Sequence, residues 1–279
     1  MQAILYLFSI LPLKPAKALI RVFARLIPIN KLRMFRVSLV NIKICFNELS
    51  LKEQEALAKE SVIESLCSAY ETLYALSRST KAISKNIKRI DNKFLLSTNI
   101  KSDQGLIISG IHNRSVDTAL QWISGQTPAV SLYKPVKNKA LESYVKKHRE
   151  QNGIKVYATN FSGVKELYKA INNNKVVIMA SDQVPANGMG EYANFFNREA
   201  YTTTLITTLA NKTKKPLIYI GLFKASKDNI KIVFKKAPSI KTVETMNSTM
   251  EDMIMKCPSD YSWEYKRFKK PPTGLVDPY

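Results

Sequence analysis

Cysteine is scarce: Cys45, Cys67 and Cys257 are three in 279 residues, far apart and without CxxC spacing. That excludes a disulfide framework and a structural zinc site, and it suits a reducing compartment. Each thiol lies in an apolar or helical context, the setting of a buried structural cysteine. Glycine and proline are few, with 9 and 12 residues, and there is neither an internal repeat nor a low-complexity stretch, so the chain reads as one continuous fold. Walker A, GxGxxG and GxSxG patterns are absent, as are clustered metal ligands. No metal or cofactor is implied. No apolar run approaches the about 20 residues needed to cross a bilayer as a helix. A secretory signal is also disfavoured, because no positive charge precedes the N-terminal apolar run and no small-residue cleavage site follows it.

Acidic residues are the other shortage, 22 against 43 basic ones, for a formal net charge of +21. Such an excess implies an anionic partner, whether nucleic acid, acidic membrane surface or acidic protein. Lysine supplies 33 of the 43; with isoleucine and asparagine also abundant, part of the excess fits an AT-rich coding sequence. The basic residues are spread throughout, without helix-turn-helix, zinc or RNP-like signatures, which argues against nucleic-acid binding.

The N-terminus, "MQAILYLFSILPLKPAKALIRVFARLIPINKLRMF", carries an apolar run from Ala3 to Leu13 and then an amphipathic stretch. Over residues 18–27, Leu19, Ile20, Val22, Phe23, Leu26 and Ile27 form one broad face. Arg21 and Arg25 form another, the arrangement of a helix lying in a membrane interface with its basic heads at anionic lipid. We assign residues 1–35 to a membrane-associating segment and 36–279 to one α/β domain.

Residues 51–80 lack Gly and Pro and follow Ser50 with Glu53 three positions on, which predicts a long helix opened by a capping box. Strands are expected at 105–109, 129–133, 154–158 and 175–180, with helices over 139–151 and 162–172. That alternation predicts a mixed, mostly parallel sheet covered by helices. "PLIYIGLF" and "NIKIVFKK" read as an antiparallel hairpin turned at residues 227–229. The C-terminal region reads as helix, proline break and a short aromatic, basic helix. Thr202, Thr203 and Thr204 read as a helix start, and His148 as solvent-exposed.

"ISGIHNRSVDTAL" places His112 five residues before Asp117. Five helical residues turn about 500°, so the two meet only if His112 leaves a strand and Asp117 sits in the first turn of the next helix. In that geometry Asp117 orients the imidazole, whose free nitrogen serves as general base toward a substrate hydroxyl. The bland alternative is a loop histidine and a first-turn acid favoured by the helix dipole.

The surrounding text decides between them. "NIKICFNELS" upstream of His112 and Asp117, and "SLYKPVKNKALESYVKKHREQNGIKV", "VVIMASDQVPANGMGEYANFFNREAYTTTLITTLANKTKKPLIYI" and "CPSDYSWEYKRFKKPP" downstream, stand in an order that resembles the lipid A late acyltransferases, within the lysophospholipid acyltransferase superfamily. The resemblance covers nearly the whole chain. It implies an acyltransferase-type α/β sandwich that moves a fatty acyl chain from an acyl carrier protein thioester, or acyl-CoA, to a hydroxyl of a lipid A precursor. The site implied is the cytoplasmic face of the inner membrane. His112 is then the base and Asp117 its partner, with Lys134, Arg149, Asp182, Gln183 and, inside the motif, Arg114 as candidate substrate-binding residues. Two departures stand out: Asp117 where the lipid A enzymes usually have Glu, and Lys134 where they usually have Arg. Both preserve acyl transfer and leave open a lysophospholipid or aminolipid acceptor, and with it the acyl length, the donor and the oligomeric state. A non-catalytic membrane scaffold is the remaining alternative, opposed by the intact His112 and Asp117.

Overall fold

The computed structural model describes residues 11–151 and 153–279. Helices α1 (Leu13–Leu26), α2 (Arg33–Cys45), α3 (Leu51–Ser77) and α4 (Thr80–Ser84) lead into strand β1 (Ile87–Asp91) and helix α5 (Phe94–Lys101). The body alternates β2 (Leu106–Gly110), α6 (Val116–Ser124), β3 (Ala129–Tyr133), α7 (Lys139–Arg149), β4 (Ile154–Ala158), α8 (Phe161–Asn172) and β5 (Val176–Ala180). A hairpin, β6 (Gly190–Phe195) and β7 (Arg198–Thr203), precedes α9 (Leu205–Thr213), β8 (Leu217–Lys224), β9 (Ile230–Lys236) and α10 (Val243–Ile254).

Seven strands form one sheet in the order β1-β9-β8-β2-β5-β3-β4, and every pairing in it is parallel except β8 with β9. All five residues of β2 are buried, as a continuous apolar strand covered on both faces must be. The period of two sorts them: Ile107, Val130, Val177 and Tyr219 enter the core on one face, while Leu106, Ile108, Ile178 and Ile220 enter the core on the other. Helix α3 begins as expected, with Ser50 and Glu53 closing a reciprocal capping box.

The structure revises several expectations. β2 is shifted one residue, to end on Gly110. β1 was hidden by its own composition: "IKRID" is an edge strand paired only to β9, where Lys88 and Arg89 discourage further pairing and erase the apolar alternation. The β6–β7 turn holds Phe196 and Asn197 at φ 49° and 59°, the left-handed pair a two-residue hairpin demands. It makes Thr202 and Thr203 strand residues, and Thr204 precedes α9 without a side-chain cap. The aromatic, basic C-terminal stretch is not helical: after a 3-10 turn at Pro258–Asp260, its backbone pairs instead with the loop after β2. His148 is half-buried, its ring stacked on Tyr144 and its Nδ1 bonded to the Tyr144 carbonyl at 2.7 Å.

Helix α1 forms where expected and leaves its apolar face outward, but Arg21 turns inward instead of toward lipid. Leu13, Ala16, Lys17 and Ala24 are its buried residues, while Leu19, Val22, Phe23 and Leu26 are 48, 52, 63 and 75% exposed. Arg21 points inward, to Glu64 and Asp228. Buried carboxylates await its Lys17 and Arg21 there, so charge joins the small apolar contacts of Leu13, Ala16 and Ala24 in tying this helix to the body. The apolar run before it lies mostly outside the described residues. No helix among them is long and apolar enough to cross a membrane.

Candidate active site

Strand register builds the centre of the site. β2 and β5 run parallel with Gly110 opposite Ala180, and the Ser181 amide extends the ladder to the Gly110 carbonyl at 3.1 Å. Two residues beyond that pair stand His112 and Asp182, side by side at the carboxyl ends of neighbouring strands, where open parallel sheets bind ligands. Asp182 Oδ1 lies 2.7 Å from His112 Nδ1, and its Oδ2 accepts from the His112 amide at 3.0 Å. The carboxylate is 1% exposed and the imidazole 29%. Burial pulls the imidazole pKa down, but the Asp182 charge and hydrogen bond outweigh it, so His112 titrates above its usual value. Burial likewise raises Asp182, and the His112 contacts more than reverse it. With Nδ1–H directed at Asp182, Nε2 is left as the acceptor, 3.2 Å from the Gln183 amide nitrogen.

The expected His112–Asp117 pair does not form. Ser115 caps α6 by accepting from the Thr118 amide at 3.0 Å, which sets Asp117 in the first turn, as the spacing required. There its two oxygens accept from Arg149 Nε and Nη2 at 2.5 and 2.8 Å, a bidentate fork between α6 and the end of α7. Burial lowers the Arg149 pKa, and Asp117 more than restores it. Asp117 loses the imidazole because Asp182 reaches it from an adjacent strand in fixed register, while a planar guanidinium satisfies both Asp117 oxygens.

Arg114 is also reassigned. It occupies the left-handed region at φ 57°, turning the chain between His112 and α6, a backbone state that costs a non-glycine residue on the order of 1 kcal/mol or more. Its guanidinium, 3% exposed, is spent on Glu64, Asp260 and Glu71 at 2.9, 2.7 and 2.6 Å, so it is not free to bind substrate. Lys17 of α1, fully buried, joins Glu71 at 2.8 Å; Arg21 joins Glu64 at 2.9 Å and Asp228 at 2.5 Å, and Lys224 joins Glu64 at 3.0 Å. The cations Lys17, Arg21, Arg114 and Lys224 thus balance the carboxylates Glu64, Glu71, Asp228 and Asp260. The cluster holds Glu64 down to about 2 against the burial that raises it. Glu64 and Glu71, two turns apart on α3, resemble ordinary solvent acids in the sequence; nothing in it signals their burial.

The C-terminal strap closes over the loop that carries His112. Ser262 donates its amide to the His112 carbonyl at 3.0 Å, Asn113 bridges Tyr261, and the Tyr265 hydroxyl accepts from the Val184 amide at 2.9 Å. Buried Tyr261 is pushed well above its usual phenol pKa by desolvation and by Asp182 beside it. The thiols are held protonated: burial raises Cys67 and Cys257 to about 11 and pushes Cys45 well above its usual value.

These groups open into one cleft of about 680 Å³. His112, Asp117, Lys134, Arg149 and Gln183 all line it, with Lys269 and Lys270 from the strap. Its buried wall is apolar, with Leu120, Val156, Ile178, Ile220 and Leu222. An imidazole oriented by a buried carboxylate therefore sits between an oil-like wall and cationic side chains, an arrangement chemically suited to taking a proton from a hydroxyl of an amphipathic, anionic ligand.

The sequence of known proteins agrees. The family profile described as bacterial lipid A biosynthesis acyltransferase matches residues 1–270. The lipid A biosynthesis palmitoleoyltransferase of Escherichia coli K12 is 22% identical over 244 residues, which is 84% of this chain and 78% of that protein. The lipid A biosynthesis lauroyltransferase of the same organism is 22% identical over 248 residues, 86% and 80% of the two chains. A lipid A biosynthesis acyltransferase of Shigella flexneri matches like the first, at 22% over 244 residues. With a profile match over almost its whole length and an imidazole–carboxylate pair set at an apolar cleft, this chain belongs to the bacterial lipid A biosynthesis acyltransferases.

Proposed function

We propose that the protein transfers a fatty acyl chain from an acyl carrier protein thioester to a hydroxyl of a lipid A precursor, with His112 as general base. The observation that carries this reading is the His112–Asp182 pair, which fixes the tautomer and leaves Nε2 facing a cleft with an apolar wall. The acceptor hydroxyl replaces Gln183 at Nε2 and gives up its proton there as its oxygen attacks the thioester carbonyl. Collapse of the tetrahedral intermediate expels the carrier thiolate, which takes that proton back from the imidazolium. The ester forms, the thioester breaks, and the base is restored. The strong positive charge suits both an acidic carrier protein and anionic lipid.

Product mass spectrometry tests the chemistry, using wild type and His112→Ala with carrier thioesters and a panel of lipid A precursor, lysophospholipid and aminolipid. A gain of one acyl chain on the precursor is expected, reduced about 10²- to 10⁴-fold in the variant. Undiminished turnover by His112→Ala removes the mechanism; gain on a lysophospholipid alone moves the acceptor.

Our reading also places the protein on the cytoplasmic face of the inner membrane, held by the outward apolar face of α1. Those side chains face solvent at little benefit unless lipid covers them. Phe23→Glu with Leu26→Glu is expected to abolish sedimentation with anionic vesicles and leave thermal stability unchanged, since both side chains are exposed. Unchanged sedimentation excludes α1 as the anchor.

A further inference from the structure

We propose that Lys134, Lys269 and Lys270 form a subsite for a phosphate monoester on the acceptor lipid. The proposal rests on the acyl-transfer reading and assigns a role within the same cleft. Charge accounting leads to it. The single carboxylate among the cleft's lining residues is Asp117, already held by the Arg149 fork, and the Arg114 charge is consumed by Glu64, Glu71 and Asp260. The three lysines remain, and among the described residues none of them pairs with a carboxylate.

Two of them are held in place rather than left to solvent. Lys270 Nζ donates to the Pro185 carbonyl at 2.7 Å and lies 5.0 Å from the Tyr201 ring centre; Lys269 Nζ lies 4.7 Å over Tyr265, itself anchored to the Val184 amide. Cation–π contact positions an ammonium without neutralising it or consuming its donors. Lys134 arrives from the other direction, directly after β3, whose partner β5 leads to Asp182. Three ammonium groups without carboxylate partners, lining the same cleft as His112, match a ligand carrying more than one negative charge. A phosphate monoester carries about −1.5 to −2 near neutral pH, whereas the phosphodiester of a carrier's prosthetic arm carries one. The charge therefore favours the acceptor over the donor as the source of the phosphate.

The test is steady-state kinetics of Lys269→Gln with Lys270→Gln on the acceptor before and after enzymatic removal of its phosphate. With intact acceptor, KM is expected to rise on the order of tenfold or more with kcat little changed, as loss of a charge-assisted contact requires. On dephosphorylated acceptor, wild type and variant should coincide, and KM for the acyl donor should be the same in both. Lys134→Gln, at an exposed position, gives the same readout should the double variant fold poorly. An unchanged acceptor KM, or a rise confined to the donor KM, overturns the assignment. Acyl transfer by wild type in the same experiment keeps the broader reading intact in that case; absence of any transfer to the phosphorylated acceptor removes both.

Discussion

Asp182→Asn is expected to cost about 10²- to 10⁴-fold in kcat, comparable to removal of the base itself. The asparagine amide can present a donor to Nδ1, which favours the tautomer that carries the proton on Nε2, where a lone pair is needed. The pH profile separates this from a merely structural defect. Base catalysis requires neutral imidazole, so wild-type activity falls as pH drops through the His112 pKa, which lies above its ordinary value of 6.5. Asp182 supplies the largest interactions that raise it, against the burial that lowers it. Without that charge the acid limb should move to lower pH even as the plateau collapses. Asp117→Asn should behave differently, because Asp117 bonds to Arg149 rather than to the imidazole. Its acid limb should move less than that of Asp182→Asn. If Asp117→Asn shifts the limb and Asp182→Asn does not, the partner has been misassigned.

Glu71→Gln is expected to destabilise the fold by about 3–5 kcal/mol, since it leaves the buried Lys17 and Arg114 charges short of compensation. That corresponds to a loss on the order of 10 °C in Tm for a domain of this size. Adding Lys17→Met should recover part of it, because the second change removes one of the uncompensated charges; failure to recover any would mean that the pair is not coupled. The same cluster has an acid signature. Glu64 is held to about 2 and Glu71 is also lowered, so their contribution is present above the unfolded value of 4.5 and disappears as pH falls through that window. Urea unfolding between pH 5 and 3 should show a shallower pH slope in Glu71→Gln than in wild type. Because Arg114 turns the loop that carries His112, the variant should lose activity beyond what the unfolded fraction explains.

Elements whose signal is local were legible in the sequence. The Ser50–Glu53 capping box sets the start of α3, and the apolar runs at 129–133 and 154–158 became β3 and β4 at those bounds. β1 was missed because its charged edge residues mask its period, and the β6–β7 hairpin because its turn is Phe196-Asn197 rather than a glycine-bearing pair. Helix α1 and its outward apolar face were legible, but the inward turn of Lys17 and Arg21 was not: amphipathicity does not say that the body offers Glu64, Glu71 and Asp228.

The site divides along the same line. The sequence by itself determined the parallel α/β architecture, the placement of His112 after a strand and of Asp117 in the first turn of a helix, and the family, because apolar period, caps and ordered motifs act over a few residues. Only the tertiary structure decided which carboxylate bonds to the His112 imidazole, that Arg114 is a buried cation held by three carboxylates, and which cleft lysines have no carboxylate partner among the described residues. Those outcomes depend on strand register across 70 residues and on charges brought together from both ends of the chain. Pairing of that kind follows distance and burial, and a linear sequence encodes neither until it is folded.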